Sequence, residues 1–263
     1  MHPRPAHIIG LGTAKSGTYS IANIFAKHYQ ALHEMPKFPL LGHVLDYLED
    51  RTTRPEFIAI LREHDGRWQP TANVANFFGD VAGEIVDAFP DARFIITIRD
   101  CYTWLRSQMS QMLELHSRVG HAPKLQLFCQ LNDRRFGRRS EAEYPPEENA
   151  VREAGLPSIE SMLRYWARFN ERILAAVPED RRLVIRTRDI SASIPKIADL
   201  AGVPAESLDA GSAHSHRAHG KTFDLWELVD HAHIERLAQR HCSELMHTYY
   251  PEISSIDDAL AAR

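Results

Sequence analysis

The chain has 263 residues, of which 44% are hydrophobic and 25% charged, with a formal net charge of −4. That composition supports a proper buried core, and the mildly acidic balance argues against a nucleic acid as partner. Three widely spaced cysteines, Cys101, Cys129 and Cys242, fit reduced thiols rather than a disulfide framework. No stretch reaches the roughly 20 apolar residues needed to span a bilayer, and none near the N-terminus has the length of a signal peptide, so a cytoplasmic protein is expected.

The first element is a short buried strand over residues 7–10, which runs through Gly12-Thr13-Ala14-Lys15-Ser16-Gly17-Thr18 into a helix over 16–29. A strand, a Gly/Ser/Thr loop and a helix start in this order suit an anionic phosphate or sulfate group, because the first amides of the helix are unpaired and carry its positive dipole end. Thr13, Ala14, Lys15, Ser16, Gly17 and Thr18 are the candidate contacts, with Lys15 adding a full charge. Gly12 and Gly17 have the spacing of the nucleotide-hydrolase loop G-x-x-x-x-G-K-[ST], but Thr18 occupies the lysine slot, so an ordinary ATPase is not expected.

A second short strand over 29–32 leads to His33 and Glu34, either of which suits a general base at the same crevice; the alternative reading has the pair orienting one another or the loop. Lys37 belongs to the same pocket or to the surface. Residues 68–73 precede a helix over 81–89 and are a candidate lining of an acceptor pocket. The next strand, 93–98, is continuous and apolar, and Arg99 ends it. In the helix that follows, over 102–115, Trp104, Leu105, Met109 and Met112 share one side while Ser107 lies roughly opposite. Two readings of Arg99 and Ser107 are open: convergence on a phosphate, or an ion pair and a solvated hydroxyl.

Residues from about 120 to 157 contain Arg134-Arg135-Phe136-Gly137-Arg138-Arg139 followed by several glutamates and prolines, and read as a lid or insertion. A helix over 159–176, a strand over 182–186 and a packing helix over 231–250 complete the pattern. Alternating strands and helices predict an α/β fold: three αβα layers about a central, mostly parallel sheet, one domain over 1–263, with its ligand at the carboxyl ends of the strands.

At these residues the chain resembles the sulfotransferases that use 3′-phosphoadenosine 5′-phosphosulfate (PAPS). In that family a loop like Thr13-Ala14-Lys15-Ser16-Gly17-Thr18 holds the 5′-phosphosulfate, and a strand-end Arg followed eight residues later by a Ser holds the 3′-phosphate, the spacing of Arg99 and Ser107. A third match is Tyr165-Trp166-Ala167-Arg168-Phe169-Asn170, then the strand 182–186 and Ala201-Gly202-Val203-Pro204. The resemblance implies a P-loop-like fold and PAPS as co-substrate. It also implies transfer of a sulfuryl group to a hydroxyl or amine of a small-molecule or carbohydrate acceptor, with Lys15 stabilising the leaving group and Glu34, or else His33, as base. A further contact is implied in the late loop 211–222, where Arg217 and Lys221 are the candidates; a metal reading of His214, His216 and His219 there is the lesser one, and no metal is expected. The chain departs from the family where Arg188 replaces a commonly acidic residue, where Cys101 replaces Pro, and where a Trp near Tyr19 or Ser20 is missing. Adenine stacking falls to Tyr19 or Trp104, each of which also reads as packing. The rival readings are an ATP-dependent kinase or other phosphate transferase, with Asp100 as the nearest metal-holding carboxylate, and a non-catalytic nucleotide-binding protein. The sequence assigns no oligomeric state.

Overall fold

The computed structural model describes residues 6–34, 38–119, 125–137, 143–214 and 223–262. In chain order its elements are β1 (Ile8–Gly12), α1 (Thr18–Ala26), β2 (Ala31–His33), α2 (Phe38–Leu48), α3 (Arg54–Trp68), β3 (Ala72–Val74), α4 (Ala82–Ala88), β4 (Arg93–Ile98), α5 (Cys101–Val119), α6 (Gln126–Phe136), α7 (Asn149–Glu153), α8 (Ile159–Ala176), β5 (Arg182–Arg186), α9 (Ile194–Ala201), α10 (Leu225–Leu228), α11 (His231–Tyr249) and α12 (Ile256–Ala261). The chain divides into two compact units, one formed by residues 1–98 and 169–217, the other by 99–168 and 218–263.

The first unit holds the sheet. Its five strands are all parallel, in the order β2-β3-β1-β4-β5. β1 and the last five residues of β4 are buried throughout, as expected of parallel strands covered on both faces. On one face Ile8, Ala72, Val74, Ile95 and Ile185 meet Ile21, Ile24 and Phe25 of α1 and Ile194, Ile197 and Ala201 of α9 in a single apolar core. Side chains alternate along a strand, so Asn73 between Ala72 and Val74 points to the other face, where its amide donates to Asp65 of α3 at 2.9 Å. Three layers result. β1 connects towards the β2 edge and β4 towards β5, so the order reverses at the carboxyl ends of these two neighbours, where open α/β sheets place their ligands.

Several elements differ from the sequence reading. α1 starts at Thr18 rather than residue 16, because Gly17 has φ 103°, outside any right-handed helix. β3 is a strand of three residues, Ala-Asn-Val, too short for its period to be seen. Residues 68–73 lead into the amino end of β3, opposite the crevice, since Ala72 pairs with Ile8 at the start of β1; they do not line a site at the carboxyl ends.

The second unit is helical. Trp104, Leu105, Met109 and Met112 of α5 are buried as the helical wheel requires, with Met162, Leu163 and Trp166 of α8 and Ile234 and Cys242 of α11. The stretch expected to be an irregular insertion contains α6 and α7, and its Glu148 is buried: Oε2 accepts from Ile159 N at 2.8 Å and Oε1 lies 3.0 Å from His233 Nε2. Burial, and then the neighbouring Cys242, push the Cys101 thiol well above its ordinary range, so it is chemically quiet. Among the described residues no helix is long and apolar enough to cross a membrane.

Candidate active site

The turn between β1 and α1 is closed by its own atoms. Ser16 donates to Thr13 O twice, through its amide at 3.1 Å and its hydroxyl at 2.7 Å, and the same hydroxyl lies 2.9 Å from Thr97 Oγ1 on β4. Ser16, a candidate ligand contact by sequence, shapes the loop with its amide and hydroxyl. Gly12 is required here: a Cβ on it would collide with Thr97 Oγ1 and come within 2.5 Å of Ser16 Oγ. Lys15 adopts φ 69° and Gly17 φ 103°. A left-handed Lys costs about 1–2 kcal/mol, and backbone curvature of this kind is that of an anion-binding nest. Among the described residues no side chain caps α1, and its first turn holds no acid, leaving the helix's positive end to the loop.

The loop fits an anionic group on a further count. Thr13 is 1% exposed, yet its Oγ1 has no hydrogen-bond partner among the described residues. A buried hydroxyl left so costs about 1–3 kcal/mol, which a ligand oxygen would recover. Thr187, at the end of β5, braces the loop from the side, its hydroxyl 2.5 Å from Ser16 O and 3.2 Å from Ile98 O.

β2 delivers His33 and Glu34 to the same unit. Glu34 Oε1 accepts from the Asn76 backbone at 3.4 Å and from the Asn76 side-chain amide, and stands 3.9 Å from His33 Nε2. The ring of Tyr19, on the first turn of α1, meets the His33 ring edge-on at 5.1 Å. The helix that follows the loop and the candidate bases are thus in direct contact, beyond the carboxyl ends of the parallel strands β1 and β2. The carboxylate keeps 20% of its surface exposed, enough to meet an acceptor. Tyr19 is 39% exposed, whereas Trp104 is fully buried and serves packing, so it offers adenine no face. Asn76, Thr97 and Thr187 were missed by sequence reasoning; a polar residue ending a buried strand was the available signal for Thr97 alone.

The second unit contains the other anion candidate. Arg99 Nε donates to Thr103 Oγ1 at 2.9 Å, and Trp166 Nε1 donates to Arg99 O at 3.1 Å. Thr103 and Ser107 are one helical turn apart on α5, and Ser107 is half-buried. Asp100 is committed elsewhere: Oδ1 accepts from Thr103 N at 2.7 Å and Oδ2 from the Thr103 hydroxyl, an N-cap for α5. Arg188, at the position of departure, stands 4.0 Å from Asp189, which also binds Arg186. Lys37, Arg217 and Lys221, with His216 and His219, lie outside the described residues, as does the His214 side chain.

A family model described as "Sulfotransferase domain" matches residues 7–205, which include all five strands, the loop, His33, Glu34, Arg99 and Ser107. A sulfotransferase from Alicyclobacillus acidocaldarius, known from its crystal structure, aligns with a TM-score of 0.52 at 16% identity, covering 95% of this chain and 97% of that one. A sulfotransferase domain from the curacin biosynthetic pathway aligns with a TM-score of 0.42 at 14% identity, over 94% and 99% of the two chains. No curated protein gives a significant sequence match. With a parallel five-stranded sheet, a glycine-containing loop between its first strand and helix, and a family match over well more than half its length, the chain belongs to the sulfotransferase family and has its P-loop-like α/β fold.

Proposed function

We propose that the protein moves the sulfuryl group of PAPS to a hydroxyl or amine of a small-molecule or carbohydrate acceptor. The observation that carries this reading is the loop 12–18, whose left-handed Lys15 and Gly17, uncapped helix start and unpartnered Thr13 hydroxyl suit a compact anionic group. Thr18 in place of the hydrolase lysine, and Asp100 with both oxygens taken up by Thr103, speak against ATP-dependent phosphoryl transfer. In this reading Arg99 and Ser107 hold the 3′-phosphate, a guanidinium and hydroxyl being matched to phosphate oxygens. The protein acts in a cytoplasmic setting.

In the reaction the S–O bond to the 5′-phosphate breaks as a new bond forms from the acceptor oxygen or nitrogen to sulfur. Glu34, held by Asn76, takes the acceptor proton, with His33 as the alternative. Lys15 and the amides of Gly17 and Thr18 meet the negative charge that develops on the departing phosphate oxygen. Positioning and electrostatics supply most of the rate, by analogy with phosphoryl transfer.

The test is a thermal-shift comparison. Adenosine 3′,5′-bisphosphate at a hundred times its dissociation constant adds about 2.7 kcal/mol, raising the melting temperature by about 5–10 °C for a chain of this size, without added metal. ATP with magnesium does little. Stabilisation by ATP and magnesium alone would replace this reading with a kinase.

A further inference from the structure

Thr187 stands outside the strand-loop-helix segment that contacts anions, yet its hydroxyl reaches into it. The hydroxyl has one proton and faces two carbonyls, Ser16 O at 2.5 Å and Ile98 O at 3.2 Å, so the bond to Ser16 dominates. A trans peptide is planar, with its C=O and N–H pointing in opposite directions. Fixing Ser16 O towards β5 therefore fixes the Gly17 N–H away from it, towards the inner side of the turn. The same turn of chain supports this peptide a second time: Ile190 packs where a side chain on Gly17 would be, its Cδ1 2.6 Å from an added Cβ. Ser16 has its amide and hydroxyl on Thr13 and its hydroxyl also against Thr97 of β4, while its carbonyl is held by the Thr187 hydroxyl.

We infer that Thr187 is a positioning residue for the donor's 5′-phosphosulfate, acting through the Gly17 amide. This rests on the donor reading above. Replacing Thr187 by Val keeps the shape of the side chain and removes the donor, so the Ser16–Gly17 peptide is free to rotate and its amide loses its aim. An ångström of misplacement at such a group is worth up to about a hundredfold in rate.

The experiment compares adenosine 3′,5′-bisphosphate with adenosine 3′-monophosphate, which lacks the group that the loop receives, by calorimetric titration of the full chain. For Thr187→Val the affinity for the bisphosphate falls about tenfold while that for the monophosphate stays at the wild-type value, and Thr187→Ser, which keeps the hydroxyl, restores the bisphosphate affinity. A purely structural role would weaken both nucleotides together, or be rescued by neither, and would overturn the assignment. So would Thr187→Val protein binding the bisphosphate as tightly as wild type. Wild-type protein that binds neither nucleotide overturns the donor reading itself, and the Thr187 assignment with it.

Discussion

Replacing Glu148 by Ala should cost about 3–4 kcal/mol of stability. Glu148 is 1% exposed and each of its oxygens has a buried donor: the Ile159 amide, in the first turn of α8, at 2.8 Å and His233 Nε2 at 3.0 Å. Arg236 approaches the other His233 nitrogen at 3.5 Å. Removing the carboxylate leaves two donors without acceptors in the interior, at about 1–3 kcal/mol each, and breaking a buried pair from one side falls in the same range of about 3–5 kcal/mol. Against a total stability of about 5–15 kcal/mol this is a large share. Urea unfolding followed by circular dichroism measures it. With a slope of about 3 kcal/mol/M, the midpoint should fall by about 1 M. Pairing Glu148→Ala with His233→Ala in a double-mutant cycle should return a coupling of about 1–2 kcal/mol. A midpoint within about 0.3 M of wild type, or two independent losses that simply add, would refute the reasoning.

Two further outcomes follow from the sites described. Glu34→Gln should lower kcat by about 10²–10⁴-fold while leaving the affinity for adenosine 3′,5′-bisphosphate unchanged, because Glu34 is outside the anion loop; an acceptor identified by screening with labelled donor supplies the assay, and a parallel loss of nucleotide affinity would contradict it. The carboxyl of Asp258 is held below its ordinary value of 3.8, first by the Ser254 hydroxyl and then by amides of the α12 cap, so it stabilises the fold above that pH and the contribution is lost as the pH falls through the lowered value. The melting-temperature gap between wild type and Asp258→Ala should therefore be widest above pH 5 and narrow progressively as the pH falls below 3.8, and a gap independent of pH would exclude the linkage.

Much of the first unit was legible in the sequence because continuous apolar runs such as Arg93–Ile98 can be little else in a chain with helical periods on either side. The loop was legible for a different reason: Gly12 and Gly17 are constraints on backbone space and angle, and such constraints leave glycine as their trace. β3 was invisible because three residues, one of them Asn73, carry no period, and Asn73 is tolerated inside only because Asp65 accepts its amide. Asn76 and Thr187 could not be found either. Each acts through a partner 42 or 171 residues away, and a contact of that separation has no local signature. The Glu-rich stretch before α8 misled for the opposite reason: Glu148 looks like one more surface acid until Ile159 and His233 are brought to it.

The bonds that curve the loop between β1 and α1, from Ser16 to Thr13, between Ser16 and Thr97 and from Thr187 to Ser16, all run from protein to protein. On the donor reading proposed above, a loop held in this way meets its ligand already in its binding geometry, and little ordering entropy is subtracted from the affinity. In that reading spent nucleotide meets the same cradle as fresh donor, so escape of the by-product, rather than the transfer, becomes the natural bottleneck of the cycle.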